Sequence, residues 1–146
     1  MFVLYCATLC YIFFFARRRF TPELSHDRIV NVIPLRDNIE YFNKYGLFNG
    51  PEGIEFFKNL AGNIIIFIPF PFFLYWLFSV HSFKKIVWIS VGTSIGVELT
   101  QLIFNVGIAD VDDVILNVAG SCLGFALLRA LIATPLYHKI ESIKRS

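Results

Sequence analysis

Amides and carboxylates set three or four residues apart inside apolar stretches carry most of the chemistry open to this chain. Asn59 and Asn63 are four apart. Glu98 and Gln101 are three apart, with Ser94 four residues before Glu98. Asp110, Asp112 and Asp113 lead into Asn117, which is four from Asp113. On a helix, such spacings put the side chains on one face. Together they would form a hydrogen-bonding layer suited to recognising a polar group. Glu98 could serve as a general acid or base. Asp110, Asp112 and Asp113 could hold a divalent cation or a cationic ligand, or simply cap a helix with carboxylates at its N-terminus, which is the simpler reading. No HExxH, P-loop or Gly-rich dinucleotide fingerprint occurs, and no Ser-His pair is placed by spacing. No catalytic residue is therefore assigned, and the sequence leans away from an enzyme. No CxxC pair occurs, and neither a metal nor a cofactor is expected. Cys6, Cys10 and Cys122 read as small apolar residues in helices rather than as a disulfide framework. His26, His81 and His138 fall in loops or the tail and receive no role.

The elements that must position these residues are membrane helices. The chain has 146 residues, which favours a single domain over 1–146. Its residues are 56% apolar and 16% charged, with 17 phenylalanines. A soluble domain of this size buries only about two-thirds of its surface, so lipid is the natural solvent for the remainder. The net charge is +2 and no basic run is interleaved with stacking aromatics, which argues against nucleic acid. Four apolar stretches cover residues 1–16, 60–80, 86–104 and 114–133, and a spanning helix needs roughly 20 such residues. The first is short, but it lacks the basic start and small-residue cleavage site of a signal peptide and reads as a true span. The runs are continuous rather than alternating, which argues against a β-barrel. The predicted fold class is all-α, an integral membrane bundle of about four transmembrane helices. A long polar loop covers residues 17–59, and Asn49, Gly50, Pro51 and Glu52 mark a turn and helix start within it. The later links are short, so the last three helices run antiparallel in succession.

That topology brings Asn63, Glu98 and Asn117 to the same side of the membrane. At about 1.5 Å per residue they lie roughly 5 to 10 Å inside the boundary. Polar residues at such depth face a partner, a cavity or a pathway. A single Asn could be interhelical glue; convergence from three helices favours a site. Gly92 with Gly96, and Gly120 with Gly124, form GxxxG patterns that let helices pack closely. Their depths match, Gly96 with Gly120 and Gly92 with Gly124. The glycine face of the third stretch lies opposite its Glu98 face, however, so which contact the fourth helix makes stays open. Pro69 and Pro71 predict a kink in the second stretch. Charge does not orient the chain, because Lys84, Lys85 and the basic tail favour one side as cytoplasmic while Arg17, Arg18 and Arg19 favour the other.

Read as whole motifs, these residues resemble the VanZ-like family. The resemblance is carried by Asn59-Leu-Ala-Gly-Asn63-Ile-Ile-Ile-Phe67-Ile-Pro69, by Ser94-Ile-Gly-Val-Glu98-Leu-Thr-Gln101, and by Asp110-Val-Asp112-Asp113-Val-Ile-Leu-Asn117-Val-Ala-Gly120. A weaker piece is Asn31-Val-Ile-Pro34-Leu. Together they cover residues 30–128 in the family's order. Two features depart from the pattern. Pro71 follows the Ile-Pro pair where the family commonly has Gly, and Gly107, Ile108 and Ala109 stand where many members carry an Arg.

The resemblance implies a VanZ-like domain in a bacterial plasma membrane, with the long loop and the acidic link facing outward. It also implies a link to resistance to the lipoglycopeptide teicoplanin. The expected partners are membrane lipid and a lipid-linked cell-wall precursor or lipoglycopeptide, met by Asn63, Glu98, Gln101, Asp110, Asp112, Asp113 and Asn117. The rival reading is an enzyme acting on a lipid-linked substrate through its intramembrane carboxylates. A third is an assembly subunit that uses its glycine faces between chains.

Overall fold

The computed structural model describes residues 1–16, 30–31, 33–34, 36–46, 50–104 and 109–135. Arg17, Arg18, Arg19, His26, Asn49, Gly107, Ile108, His138 and the basic tail lie outside the described residues. Six α-helices run in order: α1 (Phe2–Tyr11), α2 (Arg36–Tyr45), α3 (Gly50–Phe67), α4 (Phe70–Phe78), α5 (Phe83–Ile103) and α6 (Val111–Ile132). A π-helical turn, Ile12–Ala16, continues α1. Two short strands, β1 (Val30–Asn31) and β2 (Ala109–Asp110), pair in parallel, with Val30 opposite Ala109 and Asn31 opposite Asp110. The chain ahead of α2 is thereby pinned to the start of α6.

Three helical segments are long and apolar enough to cross a membrane: Phe56–Phe78, Phe83–Ile103 and Val111–Ile132. They coincide with the second, third and fourth apolar stretches. The first stretch yields the apolar helix Phe2–Phe14, which is shorter. The fold is thus all-helical, as composition and run length predict, with a two-residue strand pairing that no periodicity could announce.

The kink falls at the prolines. Pro69 and Pro71 carry no N–H, so the carbonyls of Ile65 and Phe67 lose their usual helical donors. The Ile68 N–H turns back to Ile65 O at 3.2 Å, and the N–H groups of Phe72 and Phe73 converge on Pro69 O at 3.1 and 3.3 Å. Helix α3 ends there and α4 begins. The Tyr5 hydroxyl donates to Ile66 O at 2.9 Å, tying α1 to this break. The Tyr5 ring stacks on Phe73 with centroids 4.8 Å apart, and Phe2 meets Phe73 and Phe78. Helix α4 ends on Ser79 in a left-handed conformation, φ 54°.

Burial is inverted relative to a water-soluble domain. Trp88 is 73% exposed and Ile103 is 76% exposed, while Ser90, Ser94, Gln101, Asn117 and Ser121 are fully buried. Exposed apolar residues beside buried polar ones are the informative combination; here the first suit a lipid surface and the second lie between helices. A compact apolar core gathers Phe13, Phe67, Phe70, Leu74 and Ile86.

Candidate functional site

Helix α6 is the centre of the site, because one of its faces is small and polar at regular intervals. Asp113, Asn117, Gly120, Ser121, Gly124 and Leu128 are all buried. Gly120 and Gly124 bring its backbone onto α3 and the break that follows. A Cβ on Gly120 would stand 2.2 Å from Ile64 O, and one on Gly124 would stand 2.1 Å from Ile68 O. Only glycine permits that approach. This answers which helix the α6 glycines meet. Gly92 and Gly96 do not share in it. Both are exposed, and an added Cβ at either would meet nothing within 4 Å. The depth match of Gly96 with Gly120 and of Gly92 with Gly124 therefore corresponds to no contact among the described residues, because α5 turns its polar stripe toward α6 instead.

Three helices meet through side-chain hydrogen bonds. At the outer level, Asn63 Nδ2 on α3 donates to Asp113 Oδ1 on α6. The Asp110 N–H donates to Glu98 Oε2 on α5 at 3.0 Å. One level deeper, Asn117 Nδ2 donates to Ser94 Oγ at 2.8 Å. That bond fixes the antiparallel register of α5 and α6. Moving four residues along each helix places Glu98 level with Asp113, and Ser90 level with Ser121. The polar strip is therefore three levels deep. Ser90 Oγ–H donates within its own helix to Ile86 O at 2.8 Å. Glu98, Asp112 and Asp113 are buried and Asp110 is half-buried.

Asp110 caps α6. Its Oδ1 accepts from the Asp112 N–H at 2.9 Å, satisfying one of the four orphan N–H groups at the helix start. Asp112 and Asp113 add negative charge to the same turn, where the helix dipole favours it. Among the described residues, no three His, Cys, Asp or Glu side chains gather so as to hold a metal ion.

Gln101 points a different way from its neighbours. Its Nε2 donates at 2.8 Å to Phe13 O, in the π-helical turn after α1. It therefore holds the first helix against α5. Asn59 lies on an exposed face of α3. The structure thus gathers Asn63, Glu98, Asp110, Asp112, Asp113 and Asn117 at one end of the bundle. It adds Ser94, Ser90 and Ser121 beneath them. Sequence reasoning passed over Ser90 and Ser121, although Ser90 is four before Ser94 and Ser121 four after Asn117. Among the described residues, the buried atoms Gln101 Oε1, Asn117 Oδ1 and Ser121 Oγ have no hydrogen-bond partner. An orphaned buried polar atom costs about 1–3 kcal/mol.

Apolar helices of membrane-spanning length, packed on a buried polar layer, define a helical membrane protein. Comparison with known families makes this specific. The VanZ/LLP1 family profile matches residues 2–133, and the chain belongs to that family. Protein VanZ of Enterococcus faecium is 39% identical to it over 72 residues, covering 49% of this chain and 44% of that protein. The match thus spans less than half the length of that relative. No solved structure matches the chain.

Proposed function

We propose that this chain is a multi-pass plasma-membrane protein whose polar layer binds the head of an amphipathic envelope molecule at the outer leaflet. That molecule is a lipid-linked cell-wall precursor or a lipoglycopeptide such as teicoplanin. The observation that carries the reading is the joining of α3, α5 and α6 by Asn63, Glu98, Asp110, Asp113 and Asn117 within helices long enough to cross a membrane. Packing alone does not call for so many polar groups there, because lipid-embedded helices associate through small residues and isolated hydrogen bonds. Clustered ionisable residues at membrane depth mark binding sites and pathways. Family membership supports the same reading, since the similar enterococcal protein bears the VanZ name.

The proposal is tested in a teicoplanin-susceptible Gram-positive host. Wild type and Glu98→Ala are expressed at matched membrane levels, and susceptibility is measured. Reduced susceptibility with wild type that Glu98→Ala abolishes is the expected result. No change with wild type removes resistance as the role of this chain.

A further inference from the structure

Helix α6 is held differently by its two neighbours. Toward α3 the backbones touch at Gly120 and Gly124, and Asn63 ties the outer end to Asp113. Toward α5 the joint is polar. Asn117 Nδ2 meets Ser94 Oγ. Asn117 Oδ1 and Ser121 Oγ remain without a partner among the described residues, and both residues are 0% exposed. The level beneath is apolar, with Ile86 and Leu128 also fully buried and the Phe83 ring against Phe125 with centroids 5.3 Å apart. The strip is blind at its inner end, which suits reception rather than conduction.

We propose that the α5–α6 seam is the inner half of the binding site, that α5 swings from the α3–α6 pair to open it, and that it receives sugar hydroxyls. The chemistry follows from the atoms. An amide oxygen only accepts a hydrogen bond, whereas a serine hydroxyl both donates and accepts. A sugar hydroxyl can donate to Asn117 Oδ1 while accepting from Ser121. Below the level of Glu98 and Asp113 the strip holds only Ser90, Ser94, Asn117 and Ser121, all uncharged, so a neutral group enters without the desolvation that an ion meets there. Opening falls on α5 because its joint leaves Asn117 Oδ1 and Ser121 Oγ unmet among the described residues, whereas the α3 joint is glycine-tight. The inference rests on the polar layer being the recognition site, and it adds the inserted chemistry and the helix that moves.

Thiol labelling tests it in the full-length chain. Cys6, Cys10 and Cys122 are replaced by serine, and Ser121→Cys, Ser90→Cys, Leu123→Cys and Ile33→Cys are made singly. Each protein is placed in nanodiscs accessible from both sides and treated with a small charged methanethiosulfonate. Mass spectrometry reads the rate. Ser121→Cys and Ser90→Cys are expected to react well above the lipid-facing Leu123→Cys. Diglucosyl diacylglycerol in the disc slows both, and phosphatidylcholine does not. Free maltose is run in parallel; slowing by maltose as well shows that the sugar needs no lipid anchor. Three results overturn the inference. These are no reaction at Ser121→Cys and Ser90→Cys while Ile33→Cys reacts, reaction at Leu123→Cys as fast as in the seam, or rates that neither sugar changes. Labelling reads the seam alone, so an unchanged teicoplanin susceptibility would strike the resistance reading and leave the seam in place.

Discussion

Replacing Gly124 with alanine should loosen the bundle, whereas the same change at Gly96 should not. A Cβ on Gly124 would sit 2.1 Å from Ile68 O, and one on Gly120 would sit 2.2 Å from Ile64 O. Ordinary van der Waals contact begins near 3.4 Å, so α6 must retreat from α3 by more than an ångström at either position. The obstacle is backbone, which cannot turn aside as a side chain can. Overpacking of this kind costs about 1–3 kcal/mol. The retreat also stretches the Asn63–Asp113 bond at the outer end of the same interface, and hydrogen bonds to charged groups contribute about 1.5–3 kcal/mol. For a chain of this size each kcal/mol moves the melting midpoint by roughly 2–4 °C. A drop of about 5–24 °C is therefore expected for Gly124→Ala by that scaling. Gly92→Ala and Gly96→Ala meet nothing within 4 Å and should melt with the wild type. Thermal unfolding of detergent-solubilised protein, followed by loss of the monodisperse chromatographic peak, reads all three variants. Equal midpoints for Gly124→Ala and Gly96→Ala would refute the packing argument.

Two further substitutions separate stability from function. Tyr5→Phe removes the hydroxyl that bonds Ile66 O but keeps the ring stacked on Phe73, so it should lower stability by about 0.5–1.5 kcal/mol in the same assay. Ser121→Ala removes a buried hydroxyl that has no partner among the described residues, so it should hold or raise the melting midpoint while weakening sugar protection of Ser90→Cys; a marked loss of stability would show that the hydroxyl is paired.

The helices were legible because lipid imposes length. The runs at 60–80, 86–104 and 114–133 needed only composition to be placed, and the structure shifts their ends by a few residues. The kink was legible at Pro69 and Pro71 because a missing N–H is a local property. That Asn63, Glu98 and Asn117 fall at the same end of the bundle followed from antiparallel succession alone. The glycines were harder. GxxxG marks a face that can pack but does not name the partner, and the chain uses only the pair on α6. Gln101 shared a stripe with Glu98, yet it reaches α1, because a three-residue step turns the side chain away from α6. The pairing of Val30 and Asn31 with Ala109 and Asp110 joins segments far apart in sequence by two residues each, too short for any pattern to show.

Binding by purified protein tests the central claim most directly. Wild type and Glu98→Gln, which keeps an oxygen for the Asp110 N–H but replaces the carboxyl by an amide, are placed in nanodiscs and titrated with teicoplanin and with a polyprenyl-linked cell-wall precursor. The account predicts saturable binding of at least one ligand by the wild type. Glu98→Gln should weaken that binding by about tenfold or more, or about 1.4 kcal/mol, with its melting midpoint preserved. Saturable binding that Glu98→Gln leaves unchanged, or no saturable binding of either ligand by the wild type, would contradict it.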